Sequence, residues 1–331
     1  MSKDRRVLVT GGAGFIGNNF VRHLIERRPG WEITVLDSLT YAGRRDNLPP
    51  SPRIRFVRGD VRNPTDVDPC VQDADVVVHF AAESHVARSI AENRVFFETD
   101  VLGTQSVTSA CQRFGVERLV HISTSEVYGT ALVPRMDENH PLQPCSPYAA
   151  AKAGADRLVH SYVVTYGLPA VIIRPFNNYG PRQHTEKVIP HFITEALRGR
   201  PLTIHGDGSA ERDWVSVHDH CRALLTAIEA PLDRVRGKVF NIGSGRSVPI
   251  LGIARTLQAL LPDHDVRIEC GTDRPGQVMR HTADASRARE VLGWTPKIPL
   301  EEGLRDTVEW YLAHREWWER APEGAVREFA A

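Results

Sequence analysis

Short apolar runs rich in β-branched residues alternate with longer periodic stretches through the first half of the chain. Arg6–Val9, Glu32–Leu36, Ile54–Val57, Val76–Phe80 and Arg118–Ile122 contain no turn residues and read as strands buried in a parallel sheet. Between them, Phe15–Arg27 and Val95–Phe114 have helical length and periodicity. Ala170–Ile173 reads as a sixth strand. Strand and helix in alternation predict an α/β fold, a doubly wound parallel sheet with helices on both faces. After about residue 180 the pattern breaks. Pro and Gly become frequent, and Leu202–His205, Val239–Ile242 and Val266–Cys270 are strand-like pieces among helices. The last long pattern, Leu300–Trp318, predicts an amphipathic helix with Leu304, Val308, Tyr311 and Leu312 on one side. The expected division is a sheet domain over 1–180, rejoined by some later segments, and a smaller α+β lobe over 181–331. Ala196–His205 and Leu251–Leu261 fit either lobe.

Composition narrows the partners. The 331 residues carry 41 Lys+Arg and 41 Asp+Glu, a formal net charge of zero. Nucleic acid or an acidic membrane surface asks for a basic excess, so neither is an expected partner. A small anionic ligand needs only a few local charges. The five cysteines (Cys70, Cys111, Cys145, Cys221, Cys270) are odd in number and form no CxxC pair, so neither a disulfide framework nor a zinc site is expected. The opening MSKDRRVLVTGG has no apolar signal region, and no apolar run reaches the roughly 18 residues of a membrane span. A cytoplasmic location is the expectation. His79, His85, His121, His184 and His191 lack metal-ligand spacing, so no metal is expected; His79 and His85, in HFAAESH, suit core packing or substrate contact.

The first candidate chemistry is a glycine turn. Gly11, Gly14 and Gly17 fall between the first strand and the first helix, which opens with Phe15 and Ile16. In such a turn one glycine permits the tight bend, one lets a pyrophosphate approach the backbone, and one lets helix and strand pack closely. The helix N-terminus then offers N–H groups to the phosphates. Asp37 ends the second strand, at the spacing where a carboxylate accepts from the adenosine ribose hydroxyls and repels a 2′-phosphate. That favours NAD over NADP; a plain capping role for Asp37 stays open. Asp60 is a weaker candidate for the adenine edge. Val61, Phe80, Ala81 and Ala82 complete the expected cofactor surface.

The second is Tyr148-Ala-Ala-Ala-Lys152, which places phenol and ammonium on one helix face at i and i+4. A nearby ammonium favours the phenolate, which can take a proton from an alcohol while NAD takes the hydride. Alone, the spacing occurs often by chance. It gains weight from Thr124-Ser125-Glu126, which follow the fifth strand at its carboxyl end, where parallel sheets bind ligands. Glu126 is either a surface carboxylate or a general base, and the mouth of the sheet favours the base. Thr124 suits a hydrogen bond to the oxygen that Tyr148 deprotonates, and Ser125 suits the group at the next carbon.

Together TGGAGFIG, LDSLTYAG, HFAAESHVARS, STSEVYG, SPYAAAK and RPFNNYGPR resemble the extended short-chain dehydrogenase/reductases that act on nucleotide sugars. The likeness is closest to the dTDP-glucose 4,6-dehydratases, and EKVIPHFI, GDGSAERDWVSVHDHCRA and RPGQ extend it over roughly residues 6 to 312. The resemblance implies a Rossmann domain holding NAD and a C-terminal lobe holding a UDP- or dTDP-linked sugar. It puts Ser84 and His85 at the substrate and Asn177 at its pyrophosphate. It puts Lys187, Val188, Arg212 and Arg280 around nucleotide and phosphates, and His205 near the base. It also implies a homodimer formed through Val95–Phe114 and Tyr148–Tyr166.

Three positions depart from the dehydratase pattern. Ser125 and Ala87 stand where those enzymes carry Asp, and His205 where they usually carry Tyr. The first departure touches the chemistry. Oxidation at C4 acidifies the C5 proton, and loss of the C6 hydroxyl then needs both a base and an acid. Serine is a poor acid, because its pKa lies far from the working pH. Decarboxylation of a C6 carboxylate needs no such acid, and nucleotide-glucuronate decarboxylases resemble this chain in carrying Thr-Ser-Glu. So do the GDP-mannose 4,6-dehydratases. The leading expectation is therefore a UDP- or dTDP-glucuronate decarboxylase giving a xylose or 4-keto-xylose nucleotide. The alternative is a 4,6-dehydratase giving a 4-keto-6-deoxy sugar. A 4-epimerase, which leaves Glu126 without a task, and a non-catalytic binder, which has no use for Tyr148, Lys152 and Glu126 together, rank below both.

Overall fold

The computed structural model describes residues 4–272 and 276–320; Arg274 and Pro275 of the RPGQ motif lie outside the described residues. The first six strands are β1 (Arg6–Thr10), β2 (Glu32–Asp37), β3 (Ile54–Arg58), β4 (Val76–His79), β5 (Arg118–Ile122) and β6 (Ala170–Pro175). Short strands follow: β7 (Asn177–Tyr179), β8 (Leu202–His205), β9 (Glu211–Ser216), β10 (Val239–Ile242), β11 (Ser247–Pro249) and β12 (Ile268–Gly271). Seven strands form one parallel sheet in the order β10-β6-β5-β4-β1-β2-β3. This is the doubly wound Rossmann architecture.

Alternate side chains of the sheet enter two different cores, as a period of two requires. Val7, Val9, Val78, Val120 and Ile173 pack beneath Phe20 and Leu24 of the Phe15–Arg27 helix and Leu224 and Ile228 of the Val217–Glu229 helix. Leu8, Val77, Leu119 and Ile172 pack beneath Val71, Val107, Cys111 and Val159 on the other face. Each such side chain contributes about 1.5–3 kcal/mol on burial, and a one-residue slip would exchange the faces. Register is therefore fixed, and it sets Thr10 level with His79 and His79 level with His121. The carboxyl ends of β1, β4 and β5 open together where the strand order reverses. Ligands bind at that crevice in open α/β sheets.

Beyond β6 the chain forms a three-stranded sheet, β11-β9-β7, and a two-stranded one, β12-β8. Their core holds Tyr179, Phe192, Trp214, Leu257, Leu304, Tyr311 and Trp318. β10 and the Val217–Glu229 helix return to the large sheet.

Three expectations about elements need correction. The single helix expected over Val95–Phe114 is interrupted: Arg94–Phe96 leads into a π-helical stretch, Phe97–Gly103, before Thr104–Phe114. Wider turns of this kind occur often at functional sites, and here the stretch carries the buried Asp100. The last helix stops at Ala313, and Arg315–Glu319 forms a separate short helix. At the break His314 stacks on Trp310, 4.4 Å between rings, and its Nδ1–H donates to the Trp310 carbonyl at 2.8 Å. Leu304, Val308 and Tyr311 are buried as expected, but Leu312 is 47% exposed because it sits at the rim of that face. The last strand-like piece, expected over Val266–Cys270, forms β12 two residues later at its start.

Candidate active site

Gly11 begins the turn after β1 with a φ of +67°, a left-handed conformation. A Cβ there would lie 2.6 Å from the Ala81 nitrogen, and one at Gly17 would lie 2.3 Å from the Gly11 carbonyl oxygen. Larger residues would push the turn off β4 or the helix off the turn. The N-cap is Gly14, no side chain caps the helix, and its first turn has no acidic residue. Its N-terminal dipole is thus left to an anionic group, which is what a dinucleotide pyrophosphate requires. Phe15 and Ile16 are half-buried at the helix start.

Asp37 is buried at the end of β2. Its Oδ2 accepts from the Ala13 N–H at 2.9 Å and its Oδ1 from the Leu39 N–H at 2.8 Å. Burial pushes its carboxyl up and these two bonds pull it back. The capping role is thus present, and an ionised carboxylate keeps lone pairs for ribose hydroxyls as well. Asp60 pairs with the Arg62 guanidinium at 2.6 Å, which holds its carboxyl below the usual range. Val61 is buried, while Phe80, Ala81 and Ala82 stand half-buried after β4, with the Ala81 N–H donating to Thr10 Oγ1 at 3.3 Å. Asp37 thus adjoins the glycine turn at Ala13, and Ala81 adjoins it at Gly11.

Thr124 and Ser125 are buried just past β5, and the Glu126 side chain is 20% exposed. The Thr124 hydroxyl accepts from the Glu126 N–H at 3.2 Å, and Thr124 is the neighbour that lowers the pKa of the Tyr148 phenol. Tyr148 and Lys152 share the Pro147–Tyr166 helix, which Ser146 caps by accepting from the Ala149 N–H. The helix ends at Gly167 in the left-handed conformation.

The expected depression of the Tyr148 phenol by Lys152 is corrected. Burial is the largest influence on the phenol and raises its pKa; Asp100 and Glu126 raise it further, and only the Thr124 bond opposes them. Lys152 is itself buried, and its ammonium donates to the Ile122 carbonyl at 2.7 Å. Burial lowers its pKa, and Asp100 and Asp156 offset that. Asp100 was not foreseen from sequence. Burial raises it to about 7, against the Lys152 charge and the bond its Oδ1 accepts from the Glu83 N–H at 2.8 Å.

The expected substrate residues form two groups. Lys187 donates to the Ser84 carbonyl at 2.7 Å and lies 3.3 Å from Glu186. Val188 opens the helix that follows Lys187. His85 caps the Val86–Ala91 helix through its Nδ1, which accepts from the Arg88 N–H, and its Nε2 lies 3.9 Å from Glu186. Glu186 also accepts from the Tyr41 hydroxyl at 3.1 Å. Neither Glu186 nor Tyr41 was singled out from sequence, although Tyr41 stands within LDSLTYAG. In the second group, a bridge between Glu211 and Arg280 brings Arg280 beside Arg212, which is buried in β9. Asn177 begins β7 with its Oδ1 buried and without a hydrogen-bond partner, an acceptor left unsatisfied. His205 lies exposed on β8 beside Gly271. Among the described residues no cluster of three or more His, Cys, Asp or Glu suits a metal ion, and no helix is long and apolar enough to cross a membrane.

This arrangement joins a dinucleotide turn to a Thr-Ser-Glu and Tyr-Lys set at the mouth of one sheet. A family model described as GDP-mannose 4,6 dehydratase matches residues 8–307. The chain belongs to this family. It is an enzyme of the extended short-chain dehydrogenase/reductase type that acts on nucleotide sugars. It is 46% identical to the low-salt glycan biosynthesis protein Agl12 of Haloferax volcanii, over 94% of this chain and 99% of that one. It is 44% identical to a dTDP-glucose 4,6-dehydratase of Mycobacterium tuberculosis, over 95% of each chain. The crystal structure of DesIV, a dTDP-glucose 4,6-dehydratase from Streptomyces venezuelae solved with NAD bound, superposes with a TM-score of 0.90 at 44% identity. That match covers 96% of this chain and 100% of DesIV.

Proposed function

We propose that this family member is an NAD-dependent 4,6-dehydratase of the dTDP-glucose type, converting a nucleotide-linked hexose into its 4-keto-6-deoxy product. One observation carries the reading: near full-length likeness to dTDP-glucose 4,6-dehydratases, with Thr124, Glu126, Tyr148 and Lys152 gathered at the mouth of β5. The decarboxylase expectation rested on Ser125 alone and yields to the dehydratase alternative.

When bound, NAD supplies the hydride acceptor for C4 and later the hydride donor for C6. Gly11, Gly14 and Gly17 give room for its pyrophosphate, and Asp37 meets its adenosine ribose. Tyr148 is the base at the C4 hydroxyl. The pKa of its half-buried phenol is raised in the protein, Thr124 opposes that rise, and Lys152, one turn along the same helix, supplies a positive charge. Glu126 is the base at C5: its carboxylate is partly solvated, and its backbone N–H is fixed by the Thr124 hydroxyl in the same short turn. Asn177, Lys187, Arg212 and Arg280 meet the substrate pyrophosphate, Ser84, His85 and Val188 line its path, and His205 lies toward the base.

Purified protein is incubated with NAD and, separately, dTDP-glucose, UDP-glucose and the two glucuronates, and products are weighed by mass spectrometry. Loss of water from a glucose nucleotide is expected. Loss of carbon dioxide from a glucuronate, with no dehydration, would overturn the reading.

A homodimer is part of the same proposal. Leu102, Val164 and Tyr166 are 59%, 71% and 60% exposed on the two helical segments expected to pair. Val164→Asp is expected to shift the protein toward monomer in sedimentation; an unchanged mass would refute that interface.

A further inference from the structure

Dehydration needs a proton on the oxygen leaving C6, and in this chain the residue at the place of the expected acid is Ser125. A buried histidine stands against it. His281 is fully buried, and its Nδ1 lies 3.5 Å from Ser125 Oγ. Its Nε2 lies 2.7 Å from the Gly129 carbonyl oxygen. A carbonyl only accepts, so Nε2 carries the proton and Nδ1 of the neutral ring is an acceptor. The same Nδ1 lies 3.7 Å from Glu126 Oε1. One nitrogen thus faces both the serine and the carboxylate.

The ring is firmly held. Gly129 has a φ of +70°, and a Cβ there would lie 2.0 Å from the Gln143 oxygen, so only glycine presents this carbonyl. The His281 N–H donates to the Glu211 oxygen at 3.2 Å, and Phe176 meets the imidazole edge-on at 6.1 Å.

We propose that His281 is a positioning residue that couples Glu126 to Ser125, carrying the proton taken from C5 to the oxygen that leaves C6. The proposal rests on the dehydratase reading above. Glu126 takes the C5 proton, and the C–H electron pair enters the enolate of the 4-ketone. The Glu126 carboxyl passes its proton to His281 Nδ1. Nδ1–H gives a proton to Ser125 Oγ as the serine's own proton goes to the C6 oxygen. The C6–O bond breaks, water leaves, and the enolate pair forms the C5–C6 double bond. Glu126, His281 and Ser125 end in their starting protonation states, so the elimination consumes no external acid.

The surroundings suit a ring that starts neutral. Burial lowers the His281 pKa, Glu126 opposes it, Arg212 and His140 lower it further, and the Gly129 bond raises it.

The test uses the full chain with NAD and dTDP-glucose in deuterium oxide. Two quantities are followed: 6-deoxy product, and deuterium at C5 of recovered hexose. In His281→Phe and His281→Gln, product formation is expected to fall about 10²–10⁴-fold while deuterium still enters C5. Ser125→Ala, a smaller change at the same relay, is expected to show the same split. Ser125→Asp in the His281→Phe background restores a carboxylic acid and is expected to recover at least about tenfold of the lost rate. Dehydration by both His281 variants within about threefold of wild type, equal loss of product and C5 exchange in all three single variants, or no recovery in the double variant would overturn the relay. Wild-type protein that makes no 6-deoxy product would overturn the dehydratase reading itself, and the relay with it.

Discussion

Asp37 separates two roles that one substitution can test together. Its two oxygens hold the Ala13 and Leu39 N–H groups. Ala13 is fully buried, and Leu39 adopts a φ of +53°, so neither N–H is easily re-paired and the second lies in a strained turn. In Asp37→Asn one oxygen becomes an amide that donates rather than accepts. One charge-assisted bond, worth about 1.5–3 kcal/mol, is lost, and the other falls to the roughly 1 kcal/mol of a neutral bond. Together the cost is about 2–5 kcal/mol. Thermal unfolding of the ligand-free protein measures this directly. If Asp37 also meets the ribose, NAD binding weakens about 10–100-fold in calorimetric titration, since about 1.4 kcal/mol is tenfold. Removal of the charge also raises NADP affinity relative to NAD. An unchanged ligand-free melting temperature would refute the brace. A lowered melting temperature with unchanged NAD affinity and NAD-to-NADP ratio would keep the brace and refute the ribose contact.

Two further substitutions probe the helix that carries Tyr148 and Lys152. Asp156 and Arg174 form a buried two-point ion pair, Nε to Oδ2 at 2.8 Å and a second bond at 3.0 Å, and Arg174 continues to the Tyr128 hydroxyl. Asp156→Asn strands the arginine charge and is expected to cost about 3–5 kcal/mol in thermal unfolding. Burial works against the Asp156 carboxylate, but Arg174 and Arg157 hold it well below the usual range. Its stabilisation is therefore complete above the ordinary carboxylate pKa and lost as pH falls from there toward the depressed folded value; the variant is expected to lose that acid-side slope. Asp100→Asn acts on catalysis. Ionised Asp100 raises both the phenol and the ammonium, so its removal lowers both, and the whole pH profile of kcat/KM is expected to move toward acid. Burial also raises Asp100 in the folded state, so wild-type stability falls as pH rises from about 4 toward about 7. A profile that stays in place would refute the electrostatic link.

Legibility in the sequence followed the range of the interactions. β5, β8 and β10 appear at the expected residues, and β1, β2 and β3 extend one residue further, because apolar runs and flanking breakers are local signals. The glycine turn and Asp37 were legible for the same reason. β7, β9 and β11 were not, because each is short or mixed in polarity and is defined by its partner strand rather than by its own pattern. The π-helical stretch at Phe97–Gly103 leaves no mark on a periodicity of 3.6. The Tyr148 and Lys152 spacing was correct, yet the electrostatics inferred from it were not. They depend on Asp100, 48 residues before Tyr148, and on burial that spacing does not encode. His281 meets Ser125 across 156 residues, a contact visible only after β9 has drawn the Arg280 segment alongside it.

The same distinction governs charge. A chain with 41 positive and 41 negative residues has no global field for anions, and two basic residues near Ser84 are already paired with carboxylates before any ligand arrives. Lys187 is held by Glu186 and the Ser84 carbonyl, and Arg88 by Glu83 at 2.6 Å. Glu186 stays ionised in spite of burial because Lys187, His85, His184 and the Tyr41 hydroxyl all favour its charge. On the proposed function, a substrate pyrophosphate that reaches Lys187 competes with Glu186 for it, and its binding energy is a difference between two paired states rather than the gain of a bare ion pair. An anion that matches the geometry recovers what the cations give up, while one that reaches only some of them leaves a buried carboxylate unpaired. On the proposed function, selectivity for a nucleotide diphosphate over smaller phosphates follows from that exchange, with Glu186 as the group that penalises partial occupancy.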